Sequence, residues 1–177
     1  MLAVLLVGLA IYGFSSFKIR QPGQGAPIPL AAQNQGFIAV ELRGSEGEGI
    51  YFLPPGASPQ NLIDAAGVKN NDLKERLLSA KIYRGALFTV TGDGSLQSGE
   101  MAAATRVALG IPLDVNRASA KELALVPGIE ERDAARIVQR RREKGNFSSL
   151  ADIKDVPGIK EKKLEGIRVF LSTGWGR

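Results

Sequence analysis

The tetrapeptide Val-Pro-Gly-Ile occurs at residues 126–129 and again, 30 residues later, at 156–159. Proline removes a backbone donor and disfavours helix in the residue before it, while glycine permits a tight reversal and the close approach of another molecule. A helix that begins after such a turn has unpaired amides and a positive dipole end, which together bind phosphate oxygens. These residues therefore predict recognition of a phosphate backbone.

The similarity extends well beyond the two turns. Residues 116–141 and 146–171 are identical at eight positions when aligned at this offset. Ser119 with Glu122 forms a capping-box pattern that opens a short helix, and Ser149 with Asp152 repeats it. Each copy thus predicts a short helix, a turn and a second helix, at about 130–144 and 160–171. Because neither copy alone buries enough apolar surface, we expect the two to pack around a pseudo-twofold axis.

Basic residues follow both turns and would attract a polyanion over a distance. Two such turns on one face could grip both strands of double-stranded DNA across a minor groove. Binding that contacts only the phosphate backbone of DNA should accept any base sequence, and its affinity should fall strongly as the salt concentration rises. The predicted DNA-binding residues are Gly128, Ile129, Glu130, Arg132, Arg136, Gly158, Ile159, Lys160, Lys162 and Lys163.

The two turns are not equivalent in charge. The residue after isoleucine is Glu130 in the first copy and Lys160 in the second. A carboxylate near the phosphate weakens the first site, so we expect the second turn to bind more strongly. Changing Lys160, Lys162 and Lys163 to Glu should abolish most duplex binding and leave thermal stability nearly unchanged.

Composition narrows the function further. The formal net charge is +5, and most of that excess lies in residues 113–177. The chain has no Cys and no His, which excludes zinc fingers, thiol catalysis, disulfide scaffolds and Ser-His-Asp chemistry. No paired-carboxylate pattern or activated nucleophile is present. We therefore expect a protein that is not an enzyme and needs no cofactor or metal.

Residues 37–112 have the pattern of a small α+β domain. Segments 37–42, 50–53 and 86–91 are strand-like, and a helix capped by Ser58 runs through Ala66. Segment 72–80 suggests a helical turn or two, and 99–109 suggests a helix. Two β-ribbons around a helix form the outline of a β-grasp fold.

The N-terminal region reads differently. Residues 2–17 carry no charge, and as a helix they would span about 24 Å, somewhat less than a bilayer core of about 30 Å. A buried core helix, a cleaved signal peptide and a membrane anchor are the alternatives, and we favour the anchor. By the positive-inside rule, Lys18 and Arg20 would keep the chain that follows the anchor in the cytoplasm. Further basic residues upstream of the anchor would counter this preference. Residues 21–36, rich in Pro, Gly and Gln, read as a linker.

The repeat region resembles the tandem helix-hairpin-helix domain of the ComEA competence family over residues 112–171. Residues 49–67 are similar to the soluble-ligand-binding β-grasp module of many members. Family turns usually read Gly-Ile-Gly, from which both turns here depart at the third position. The matching motifs are Asn116-Arg-Ala-Ser119, Glu122-Leu123, Pro127-Gly-Ile129, Arg141-Arg-Glu-Lys-Gly145-Asn-Phe147, Asp152-Ile153, Val156 and Gly158-Ile159.

The resemblance implies a single-pass receptor in the bacterial inner membrane, with its soluble part facing the periplasm or cell exterior. It would bind incoming double-stranded DNA and help draw it toward a DNA-transport channel in natural transformation. The alternative is a protein-interaction or scaffold module of an envelope or secretion assembly, in which the β-grasp-like domain makes the contact with an unknown partner.

The predicted fold class is a multi-part α+β protein. Its parts are a membrane segment (1–20), a linker (21–36), a β-grasp-like domain (37–112) and an all-α tandem helix-hairpin-helix domain (113–177).

Overall fold

The structure is a computed structural model that describes residues 36–174. Contacts divide the chain into two compact units, with the boundary between Glu100 and Met101. Residues 1–35, which hold the predicted anchor and all but the last residue of the predicted linker, lie outside the described residues, as do residues 175–177. Within the described part, no helix is long and apolar enough to cross a bilayer.

The first unit contains one mixed sheet and two helices. Its strands are β1 (Ile38–Arg43), β2 (Gly49–Leu53), β3 (Ala86–Val90) and β4 (Leu96–Glu100), and its helices are α1 (Pro59–Ala66) and α2 (Asn71–Leu78). The sheet order is β2-β1-β3-β4. β1 and β3 pair in parallel at the centre, and each forms an antiparallel pair with its outer neighbour.

Alternation of side chains places the apolar ones from this sheet against the two helices. Val40 and Leu42 of β1 and Phe88 of β3 share one core with Leu62 of α1 and Leu77 of α2. This arrangement confirms the α+β class that the sequence predicted. The two hairpins with parallel central strands also have the outline expected of a β-grasp.

The strand β4 was not predicted, and its last two residues lie in a segment that was predicted to be helical. Residues 99–109 were expected to be helical, but β4 runs to Glu100 and the helix α3 covers only Ala103–Ala108. β4 has a polar sequence with mostly exposed side chains, so it carries no apolar alternation. Its pairing with β3 is instead set by the turn between them, in which the Thr91 amide donates to the Ser95 carbonyl at 2.9 Å.

The second unit is the repeat region. After α3 come the short strand β5 (Leu113–Asp114) and the first hairpin helices α4 (Ala120–Leu123) and α5 (Glu131–Lys144). The second hairpin has a 3₁₀ helix, η1 (Leu150–Asp155), followed by α6 (Glu161–Ile167). A further 3₁₀ turn, η2 (Arg168–Phe170), leads into β6 (Leu171–Ser172).

Three details of this unit differ from expectation. It is not all-α, because β5 and β6 pair in parallel, Leu113 with Leu171. That pairing also ends the last helix at Ile167 rather than near 171. Residues 101–112 lie with this unit and not with the first, since Ala103 and Val107 pack against its core.

Both copies of the repeat contribute to one core. Val126, Ile129, Val156 and Ile159 belong to a single buried cluster and are at most 5% exposed. Phe147, between the copies, is buried in the same cluster. The repeated tetrapeptide is therefore first a packing device, with valine and isoleucine inside and proline and glycine on the surface.

Ile137 offers a test of this shared core, because it is fully buried in the middle of α5. We expect Ile137→Ala to lower the free energy of unfolding by about 2–5 kcal/mol, since it removes packed methyl groups and leaves a cavity. Gln139→Ala, on the exposed face of the same helix, should change it by less than about 0.5 kcal/mol. Urea denaturation measures both, and equal effects would contradict a core that includes α5.

Candidate nucleic-acid interface

The entry helices of the two hairpins begin with reciprocal caps, as predicted. The Ser119 amide donates to the Glu122 carboxylate at 2.8 Å, and the Glu122 amide donates to the Ser119 hydroxyl at 3.2 Å. In the second copy the Ser149 amide donates to Asp152 at 2.9 Å. Hydrogen bonds from the backbone amides of Ser119 and Ser149 are the main reason that the pKa values of both carboxyls are lowered. These caps fix where the chain enters each turn.

Each Pro-Gly turn is closed by its own backbone. The Ile129 amide donates to the Val126 carbonyl and the Ile159 amide to the Val156 carbonyl, both at 3.0 Å. The glycine between has a φ of 94° at Gly128, a conformation that other residues rarely adopt. The isoleucines were predicted to contact DNA, but their side chains are buried and their amides are engaged. They support the turns from beneath.

The amides that remain differ between the two turns. Those of Gly128 and Gly158 have no partner among the described residues. The Glu130 amide donates to the Asp133 carboxylate at 3.4 Å, whereas that of Lys160 has no partner within residues 36–174. The Asp133 carboxylate thus engages the Glu130 amide of the first turn, whereas the equivalent Lys160 amide of the second turn stays available for a ligand.

Asp133 also binds across the repeats, to the Lys163 ammonium. The two residues occupy the same position in their copies, 30 residues apart. The Asp133 side chain is 4% exposed and that of Lys163 is 28% exposed. Burial opposes ionisation of Asp133, but hydrogen bonds from Lys163 and from the Glu130 amide outweigh it and lower the pKa of the carboxyl. Lys163, predicted to face DNA, has its charge engaged inside the domain.

Arg136 lies beside the second turn although the first repeat carries it. Its Nη1 donates to the Pro157 carbonyl at 3.1 Å. A Cβ atom added at Gly158 would lie 2.9 Å from the same nitrogen. The sequence assigned Arg136 to the first turn, because spacing along one helix cannot reveal a contact with the other hairpin.

The remaining predicted cations are exposed. Arg132 lies 3.6 Å from Glu130, with both side chains at least 67% exposed, so the pair adds little stability and partly neutralises the first turn. Lys160 and Lys162 follow the second turn and form no ion pair within the part of the chain that the structure describes. Of the exposed cations predicted to bind DNA, the two at the second turn are therefore the ones without an ion pair in the described residues.

Three consecutive arginines at 140–142 have the pattern of a solvated helix face. Instead, Arg140 donates to the Gly145 carbonyl and stacks over the Phe147 ring, 4.4 Å from its centre. Arg141 donates to the carbonyls of Val115 and Ala118 at 2.8 and 2.7 Å. Both arginines are structural clamps. Nothing in the sequence of these arginines distinguishes such structural contacts from a solvated surface.

Comparison with known proteins agrees with this architecture. The family described as helix-hairpin-helix motif matches residues 110–172. ComE operon protein 1 of Bacillus subtilis (strain 168) is 26% identical over 143 residues, covering 77% of this chain and 70% of that protein. The chain is thus similar to ComEA proteins, and residues 110–172 match the helix-hairpin-helix family. The resemblance that the motifs predicted is thereby confirmed.

One expectation for this ComEA-like chain needs correction. Triple replacement of Lys160, Lys162 and Lys163 by Glu was expected to leave stability nearly unchanged. A glutamate at 163 would face the buried Asp133 carboxylate, and two close carboxylates repel each other. Only the exposed Lys160 and Lys162 can be altered without disturbing the packing of the two hairpins.

The Asp133–Lys163 pair predicts a specific pH dependence. The folded-state pKa of Asp133 lies below its unfolded value of about 3.9, so the pair contributes fully above that pH. Its contribution is lost as pH falls through the folded pKa. We expect Asp133→Asn to cost about 1–3 kcal/mol at neutral pH and progressively less as the pH is lowered.

Urea unfolding of wild type and variant at several pH values measures this difference. Asp155→Asn is the matched control, because Asp155 is 58% exposed and pairs only loosely with Arg140 at 3.5 Å. It should change stability by less than about 1 kcal/mol. A constant difference between wild type and Asp133→Asn down to strongly acidic pH would contradict an ionised, stabilising Asp133.

Proposed function

We propose that this chain binds double-stranded DNA without sequence preference, through the phosphate backbone and the helix-hairpin-helix unit. The helix-hairpin-helix match and the ComE relative support DNA binding in competence. The proposal rests mainly on the groups exposed at the second Pro-Gly turn. There the Lys160 amide is unpartnered among the described residues, and Lys160 and Lys162 are exposed without an acidic partner in the same region.

The position of these groups favours backbone contact over base readout. Lysine side chains and main-chain amides bind phosphate oxygens, which are the same at every base pair. The second turn lies at the surface, where a phosphate can reach the unpartnered Lys160 amide. Such a contact positions DNA along the protein and leaves its sequence unread, as a protein that accepts any incoming duplex requires.

We further propose that the protein is a membrane-anchored DNA receptor rather than an enzyme. The uncharged run at residues 2–17 supports single-pass anchoring in the bacterial inner membrane, and the linker at 21–36 would extend the DNA-binding part from it. The soluble units would face the periplasm or cell exterior and deliver DNA to a transport channel.

A second candidate function is a protein-interaction or scaffold module with little DNA binding. A cleft of about 650 Å³ in the first unit favours it, since its lining mixes both charges, including Lys69, Arg76 and Asp93. The pKa of Asp93 is lowered to about 2, chiefly by a hydrogen bond from the Thr91 hydroxyl, so the carboxylate remains charged. Such a surface suits a polar partner of the first unit.

Titration with unrelated duplexes at several salt concentrations separates the two functions. We expect every duplex to bind with similar affinity and the logarithm of the association constant to fall with that of salt at a slope of about −3, for three or four phosphate contacts. Lys160→Gln with Lys162→Gln should reduce that slope by about 2. Arg142→Gln with Lys144→Gln removes the same charge from the far end of α5 and should have little effect. No binding at low salt, or an affinity that ignores salt, would leave only the second candidate.

A further inference from the structure

The strongest unassigned feature lies where the two repeats meet at the second turn. Arg136 belongs to the first repeat, yet its only hydrogen bond within the described residues is to the Pro157 carbonyl of the second. A guanidinium has five N–H donors, of which this bond uses one. The remaining donors are held in a fixed orientation beside the turn.

Gly158 explains how the guanidinium can lie there. A Cβ atom at that position would stand 2.9 Å from Arg136 Nη1 and 3.2 Å from Asp133 Oδ1. At Gly128, in the other copy, the nearest atom would instead be a methyl carbon of Ile167, at 3.2 Å. The equivalent glycines thus leave space for different groups: Gly158 for a charged side chain at the second turn, and Gly128 for an apolar one at the first.

The repeat alignment shows why only one turn receives this group. The position equivalent to Arg136 is Gly166, which has no side chain to reach the first turn. Asp133 lies three residues before Arg136 and therefore on the same face of α5. Its ion pair with Lys163 holds that face against the second hairpin.

We propose that the second DNA site is built from both repeats: Arg136 of the first binds the phosphate at the Pro157-Gly158 turn, and the Asp133–Lys163 pair positions it. Lys163 itself does not contact DNA. The ligand is a phosphodiester, for which the planar fork of arginine is well matched. This assignment rests on the proposed duplex binding and adds the residue that completes its stronger half.

Duplex titrations over a range of salt concentrations test the assignment with three single variants and one double variant of the full chain. Arg136→Gln should lower the salt slope by about 0.9, the loss of one phosphate contact, and weaken binding about tenfold. Arg132→Gln, the matched control on the same helix, should do so to a smaller extent. Lys163→Met should lower thermal stability because it leaves the buried Asp133 without its partner. Added to Arg136→Gln, it should lower the salt slope no further at temperatures where the protein is folded, because Lys163 makes no phosphate contact of its own.

A pair of glycine variants gives an independent measurement. Gly158→Ala and Gly128→Ala impose the same backbone strain, because both glycines have a φ near 95°. Only the first displaces Arg136, so it should weaken DNA binding more at equal loss of stability. Equal losses in the two glycine variants, equal slopes for Arg136→Gln and Arg132→Gln, or a further reduction of the slope when Lys163→Met is added to Arg136→Gln would each overturn the composite site. If wild type fails to bind any duplex, the proposed function itself is wrong.

Discussion

The second unit depends on burying the apolar residues of two hairpins in one core. Each hairpin offers only a narrow apolar stripe, with Ile137 on one long helix and Ile167 at the same position on the other. A stripe of that size cannot offset the entropy of ordering a short hairpin by itself. Packing the stripes against each other removes both from water and fixes where every surface group of the domain lies.

The core fixes the outer geometry through the tetrapeptide. Its valine and isoleucine are inside, so its proline and glycine must project to the surface. The exposed turn is thus a consequence of the packing and is held by it. Side-chain hydrogen bonds add to this packing. Asn116 accepts from the Phe147 amide at 2.8 Å, and its own amide group donates to the carbonyls of Phe147, at 3.0 Å, and of Thr173. Together these contacts make a small domain rigid enough to present its cations in set positions.

Sequence reasoning succeeded where a signal is local or periodic. The capping boxes, the turns, the buried faces of α5 and α6 and three strands of the first unit all have such signals. It failed where the partner lies elsewhere in the chain. Nothing in the spacing of α5 reveals that Arg136 meets Pro157 or that Arg141 meets Val115, because these contacts exist only after the hairpins pack. The two-residue ladder of β5 and β6 is too short to have any period.

Duplication followed by divergence accounts for the asymmetry of the site. Positions 133 and 163 meet because equivalent residues approach each other near a pseudo-twofold axis. Identical side chains there would place like charges together, whether two lysines or two aspartates, and would push the hairpins apart. Asp133 opposite Lys163 turns that repulsion into attraction, which only a tandem repeat, and not two identical chains, can achieve. The same divergence withdraws a lysine from the surface, and Arg136, with no counterpart at Gly166, supplies a cation next to the second turn in its place.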